Sequence, residues 1–241
     1  MTILRSTLAY ILMLTNAFLS AGWMCLTARK APLARRLVLQ QRMAGRNRAI
    51  LAAVCGLRCR VEGAENLPPA PFVIFSLHQS AFETLIFPAF FPPFVWVLKK
   101  SLVGVPVLGP ALARLEPVAI DRGDARVALR QVLEQGAAKL DQGIGVLIFP
   151  EGTRHPPGRP GAFRSSAAAL ASGAGVPIVP VVHDTGRFWA AHGFAIRPGC
   201  VTVRIGPPLP AAEMTDLSAK EITTRLRREA ESMLAEMDEF V

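Results

Sequence analysis

Acidic side chains are missing from the first quarter of the chain: no Asp or Glu precedes Glu62, whereas ten Lys or Arg do. The remaining 17 basic and 18 acidic residues nearly balance, so the formal net charge of +9 belongs to an amino-terminal arm rather than to the whole surface. Cysteine is also sparse. Cys25, Cys55, Cys59 and Cys200 form no CxxC pair and no Cys/His cluster with zinc spacing, which argues for reduced thiols and against a structural metal. Only four histidines occur, His78, His155, His183 and His192, so there are few candidates for acid–base chemistry near neutral pH. No internal repeat and no linker interrupts the chain, which excludes solenoid and multidomain arrangements.

Long apolar runs are present. Hydrophobic residues make up 51% of the chain, and the mean hydropathy of +0.34 is high for a soluble protein. Residues 6–28 carry no charge, and as a helix they extend about 34 Å, enough to cross a hydrocarbon core of about 30 Å. Arg29, Lys30, Arg35 and Arg36 follow directly, which places that end in the cytoplasm by the positive-inside rule. Thr7, Asn16 and Ser20 dilute the run, so a helix lying in the membrane is the alternative to one that crosses it. A cleaved signal peptide fits less well, because its apolar region is shorter and no Ala-x-Ala site precedes the basic cluster.

Residues 32–55 continue with a helical pattern. Leu33, Leu37, Met43, Ile50, Leu51 and Val54 alternate with Arg35, Arg36, Arg42, Arg46 and Arg48. A basic amphipathic helix of this kind suits a membrane surface, or packs on the domain with its basic face solvated. Because the basic residues are interleaved with apolar ones, anionic lipid is the expected partner and nucleic acid is not. Each basic residue held near such a surface contributes roughly 1 kcal/mol.

After Arg60 the texture changes to short apolar runs separated by Pro- and Gly-bearing turns. Strands are predicted at 72–76, 94–98, 117–120, 145–149, 178–182 and 201–205, and helices at 80–90, 124–140 and 165–173. Strands alternating with helices imply an α/β fold with a mixed central sheet flanked by helices. A final helix starts at Ser218 with Glu221 three residues on, a capping box, and carries Ile222, Leu226, Met233 and Met237 on one stripe. The expected organisation is a membrane anchor over residues 1–57 and a catalytic domain over 58–241.

His78 follows an apolar strand and precedes Gln79-Ser80-Ala81-Phe82-Glu83. On a continuous helix, five residues turn about 500° and leave two side chains about 140° apart. His78 and Glu83 therefore meet only if the histidine lies in the loop and the glutamate in the first turns of the helix. A carboxylate so placed fixes one imidazole nitrogen and leaves the other free to accept a proton. Leu147-Ile148-Phe149-Pro150-Glu151-Gly152-Thr153-Arg154 is a second strand ending in a polar turn. There Gly152 permits close backbone approach, and Arg154 offers a planar fork suited to phosphate. His155, before Pro156-Pro157, reads as a loop residue, and His183 as either structural or site-lining.

These residues resemble the glycerolipid acyltransferases, specifically the 1-acyl-glycerol-3-phosphate acyltransferase family. His-x4-acid followed some 70 residues later by Phe-Pro-Glu-Gly-Thr-Arg carries the resemblance, although the family's usual acid is Asp and here it is Glu83. Val118-Ala119-Ile120-Asp121-Arg122 and Val176-Pro177-Ile178-Val179-Pro180-Val181 are similar to two further blocks. Lys99-Lys100 with Pro106 and Gly109 resembles a lysine-bearing segment between the first two blocks, and His183-Asp184-Thr185-Gly186 with Trp189 a signature of bacterial members. The likeness runs in order from about residue 67 to 182.

It implies a glycerol-3-phosphate acyltransferase-like fold and transfer of a fatty acyl group from acyl-CoA or acyl-carrier protein to the sn-2 hydroxyl of a lysophosphatidic acid. It implies His78 and Glu83 as the catalytic pair, with Lys100, Arg122, Glu151, Gly152, Thr153 and Arg154 binding substrate. No metal and no cofactor beyond the acyl co-substrate is expected, and the setting implied is the cytoplasmic face of the inner membrane. Another lysophospholipid or lipid acceptor, or thioester hydrolysis by a membrane-associated enzyme, is the competing expectation.

Overall fold

The structure, a computed structural model, describes residues 1–27, 31–105 and 108–239. The chain begins with helices α1 (Thr2–Thr27) and α2 (Leu33–Ile50), and α2 runs on through a π-helical turn at Leu51–Cys55. Gly56, at φ +69°, ends that turn in a left-handed conformation that only glycine adopts without steric cost. Then come β1 (Leu57–Glu62), β2 (Val73–Ser76), α3 (Phe82–Ile86), β3 (Phe94–Lys99), α4 (Leu108–Ala113), β4 (Val118–Ile120), α5 (Ala125–Leu140) and β5 (Gly145–Ile148). The last third holds α6 (Ser166–Ala174), β6 (Ile178–His183), α7 (Thr185–Phe188), β7 (Gly199–Ile205) and α8 (Ala219–Glu239).

The seven strands form one sheet in the order β1-β7-β6-β2-β5-β3-β4. From β6 to β4 every neighbouring pair is parallel, while β7 runs antiparallel to β6 and carries β1 parallel to itself. Central β2 is buried on both faces, as its unbroken Val-Ile-Phe run requires. Val73 and Phe75 pack into the core under α5, α6 and α8, and Phe72 and Ile74 into the opposite core under α3 and the π-helical turn. The carboxyl ends of β6, β2, β5, β3 and β4 thus share one edge of the sheet, the usual place for ligands in such folds.

The mixed α/β sheet and most elements agree with expectation, and the differences have local causes. The helix expected at 80–90 is only α3 followed by a 3-10 turn at Phe87–Ala89, because Pro88 cannot donate into a continuing α-helix. Strand β1 was not expected; it is an edge strand whose Arg58 is exposed while Leu57 is buried. Helices α4 and α7 were also missed. Ala28, the expected end of the apolar helix, lies outside the described residues, as do Arg29, Lys30 and Pro106.

Helix α1 is long and apolar enough to cross a membrane over Thr2–Leu26. Two of its polar residues, Ser6 and Asn16, are buried against the protein. Asn16 Nδ2 donates to Asn47 Oδ1 (2.7 Å), Arg46 Nε donates to Asn16 Oδ1 (2.6 Å), and Ser6 Oγ accepts from the Ile196 amide (2.8 Å). Ile3, Leu4, Leu8, Ile11, Phe18 and Trp23 are exposed. At the other end of the chain, Ser218 N donates to Glu221 Oε2 (2.8 Å), the reciprocal bond of the capping box, and Ile222, Leu226, Met233 and Met237 are buried.

Candidate active site

His78 leaves the carboxyl end of β2 and Glu83 lies in the first turn of α3, as the five-residue spacing demanded. Imidazole Nδ1 is 3.3 Å from Glu83 Oε2. The ring is stacked on Phe149, with centroids 3.9 Å apart and planes within 11°. This orientation leaves Nε2 without a hydrogen-bond partner among the described residues. The backbone of His78 is fixed as well: its N–H donates to Glu151 Oε2 (2.7 Å), and its carbonyl accepts from His155 N (2.8 Å).

Glu83 is fully buried and accepts from several donors. Ser80 N donates to Oε2 (3.0 Å), Gln79 N to Oε1 (3.3 Å), and the Thr185 hydroxyl to Oε1. His183, also fully buried, places Nδ1 3.5 Å from Oε1 and 3.0 Å from Thr185 Oγ1, with Nε2 2.9 Å from the Leu77 carbonyl. Burial alone would push the Glu83 carboxyl up, but the facing His183 and the hydrogen bonds from His78 and Thr185 outweigh it and hold it below the usual carboxylate range. Glu83 is therefore an ionised acceptor, which puts the ring proton of neutral His78 on Nδ1 and a lone pair on Nε2.

The turn after β5 stands beside this pair. Glu151 is buried, and besides the His78 amide it accepts from Gly161 N (2.9 Å), so its carboxylate shapes the turn and faces inward. Gly152 has φ +70°, and its carbonyl accepts from Arg122 Nη1 (2.6 Å). Thr153 is exposed. Arg154 Nη1 reaches Ala191 O (3.3 Å) in the segment after α7, while its buried Nε has no partner. Arg122 and Arg154 thus engage different segments. Lys100 opens an exposed turn at the end of β3 and, among the described residues, has no hydrogen-bond or ion-pair partner.

Three contributors went unrecognised in the sequence. Phe149 belongs to the Phe-Pro-Glu-Gly-Thr-Arg block but gave no sign that it stacks on His78. Thr185 reaches Glu83 across 102 positions, a contact without a local signal. Arg164 packs over Gly152, and a signal for it existed: it is a cation at the amino end of α6, the unfavourable sign for a helix dipole. Among the described residues no group of three or more His, Cys, Asp or Glu side chains is placed to hold a metal ion.

Comparison with known proteins fits this geometry. Residues 58–184 match the family model described as Acyltransferase. The chain belongs to the acyltransferase family. A 1-acyl-sn-glycerol-3-phosphate acyltransferase of Pseudomonas aeruginosa is 39% identical over 238 residues, 97% of this chain and 91% of its own. The alpha form from Homo sapiens is 32% identical over 175 residues, 71% of this chain and 62% of its own length. The enzyme from Saccharomyces cerevisiae is 30% identical over 195 residues, 78% of this chain and 63% of its own. In fold, this acyltransferase superposes on the crystal structure of the 1-acyl-sn-glycerophosphate (LPA) acyltransferase PlsC from Thermotoga maritima. The TM-score is 0.82 at 22% identity, covering 98% of this chain and 96% of that one.

Proposed function

We propose that this chain transfers a fatty acyl group from acyl-CoA or acyl-carrier protein to the free sn-2 hydroxyl of 1-acyl-glycerol 3-phosphate, giving phosphatidic acid. The observation that carries this reading is the His78–Glu83 pair, 3.3 Å apart, with Nε2 left open beside the turn at residues 150–154. Nε2 takes the proton of the acceptor hydroxyl as that oxygen attacks the thioester carbonyl. Glu83 keeps Nδ1 protonated and stabilises the imidazolium. The tetrahedral intermediate collapses by breaking the C–S bond, and the imidazolium returns its proton to the departing thiolate. General-base help of this kind contributes about 10²–10⁴-fold, and co-localising both substrates supplies much of the rest. No enzyme nucleophile is needed, because the acceptor oxygen itself attacks.

Residues 1–57 form the membrane anchor and 58–241 the catalytic domain. The exposed apolar row of α1 and the arginines of α2 support lipid as the partner, with the catalytic domain on the cytoplasmic face of the inner membrane. A membrane-impermeant thiol reagent then reaches the exposed Cys200 in inverted vesicles and not in right-side-out ones. The reaction itself is tested by thiol release from acyl-CoA, and from acyl-carrier protein, with and without a panel of lysolipids. Release that depends on lysophosphatidic acid and matches phosphatidic acid formed is expected. Equal release without any acceptor would make the protein a thioesterase.

A further inference from the structure

We propose that Arg164 joins Arg122 across Gly152 to form a clamp for the phosphomonoester of the acceptor, with Arg164 as a specificity-determining residue. This rests on the acyl-transfer reading above for the identity of the acceptor. Arg122 is held by the Gly152 carbonyl at 2.6 Å. The Nε and Cζ of Arg164 lie 3.7 and 3.9 Å from the point a side chain on Gly152 would occupy. Two guanidinium groups therefore flank one residue that has no side chain of its own.

Charge accounting shows what is missing between them. Among the described residues neither arginine pairs with a carboxylate, and the nearby acids are engaged elsewhere. Asp121 accepts from Gly123 N, Asp124 caps α5 through the Arg126 and Val127 amides, and Glu151 holds the His78 and Gly161 amides. Burial lowers the proton affinity of Arg122, and the charge of Arg164 lowers it further. The amino end of α6, next to Arg164, adds partial charge of the same sign. A positive cluster with no acid is unfavourable alone and becomes favourable when a dianion enters it. Planar guanidinium forks suit a terminal phosphate, which presents several oxygens at once.

The surroundings suit a lipid headgroup. Both arginines border a cavity of about 420 Å³ whose inner wall is apolar, including Val132, Ile148 and Phe149. The apolar wall lowers the local polarity on one side of the pair, which strengthens its hold on an anion relative to open water. Phe149 also stacks on His78, so a single aromatic ring joins the clamp to the base.

Two measurements on the full-length protein in detergent micelles test this. First, kcat/KM is compared for 1-acyl-glycerol 3-phosphate and for monoacylglycerol, which lacks the phosphate. Arg164→Ala should lower the ratio of the two about 10- to 100-fold, the loss expected for one charge-assisted contact, and Arg164→Lys should restore part of it. Second, thermal stabilisation by added 1-acyl-glycerol 3-phosphate should weaken in Arg164→Ala, with monoacylglycerol as the phosphate-free control. An unchanged ratio together with unchanged stabilisation overturns the clamp. If the wild-type protein binds this lipid through Arg164 but does not acylate it, the clamp stands and the proposed reaction fails.

Discussion

The two halves of the site are built on opposite principles. Around Glu83 the carboxylate is buried and satisfied: two amides, a hydroxyl and two imidazoles converge on it. At the cavity rim, Arg122 and Arg164 are exposed and, among the described residues, lack an acidic partner. On the proposed reading, the base is complete before substrate arrives, and the rim is completed by what binds. A preorganised base costs no reorganisation during the reaction, whereas unpaired charge at a rim confers selectivity for an oppositely charged ligand.

That contrast can be broken from the buried side first. His78→Ala should reduce turnover by about 10²–10⁴-fold while the protein still partitions into membranes; substantial residual activity would remove His78 as the base. Glu83→Gln should come next, at up to about 10⁴-fold in kcat with little change in acceptor KM, because the amide no longer fixes the tautomer or stabilises the imidazolium. The same variant tests charge. Since the folded-state value of Glu83 is depressed, its ionisation contributes stability above the usual value near 4.5 that is lost as pH falls through the lower folded value. Acid unfolding profiles of wild type and Glu83→Gln should therefore converge at low pH and diverge above it.

Thr185→Val sharpens the comparison more gently. It removes one donor from a buried carboxylate and should lower stability by about 1–3 kcal/mol, with a smaller kcat loss than Glu83→Gln. Parallel urea titration and kinetics separate the two effects. The smallest change is expected from Lys100→Ala, whose side chain is exposed and isolated. A shift in acceptor KM below about twofold, within the range of an exposed charge, is expected; a rise matching that of Arg122→Ala would place Lys100 in the binding set.

Legibility in the sequence followed the range of the interactions. The His78–Glu83 pair was visible because both residues sit on one strand-to-helix corner, where spacing alone fixes geometry. Central strands were visible because burial on both faces forces continuous apolar runs. Edge strand β1 was not, since its alternating Arg58, Cys59 and Arg60 blend into the basic arm before it. Thr185 and His183 joined Glu83 through sheet order, β6 beside β2, which no local pattern encodes. Glu151 was recognised as a site residue, but its inward role depends on amides 73 and 10 positions away.

Adjacent residues of one turn grip both ends of the machinery: Glu151 holds the backbone of the histidine, and the carbonyl of Gly152 holds Arg122. On the proposed reading, a single peptide unit links the anchoring of a headgroup to the aim of the proton acceptor. A headgroup that fits Arg122 poorly would then be felt as a lower kcat as well as a higher acceptor KM.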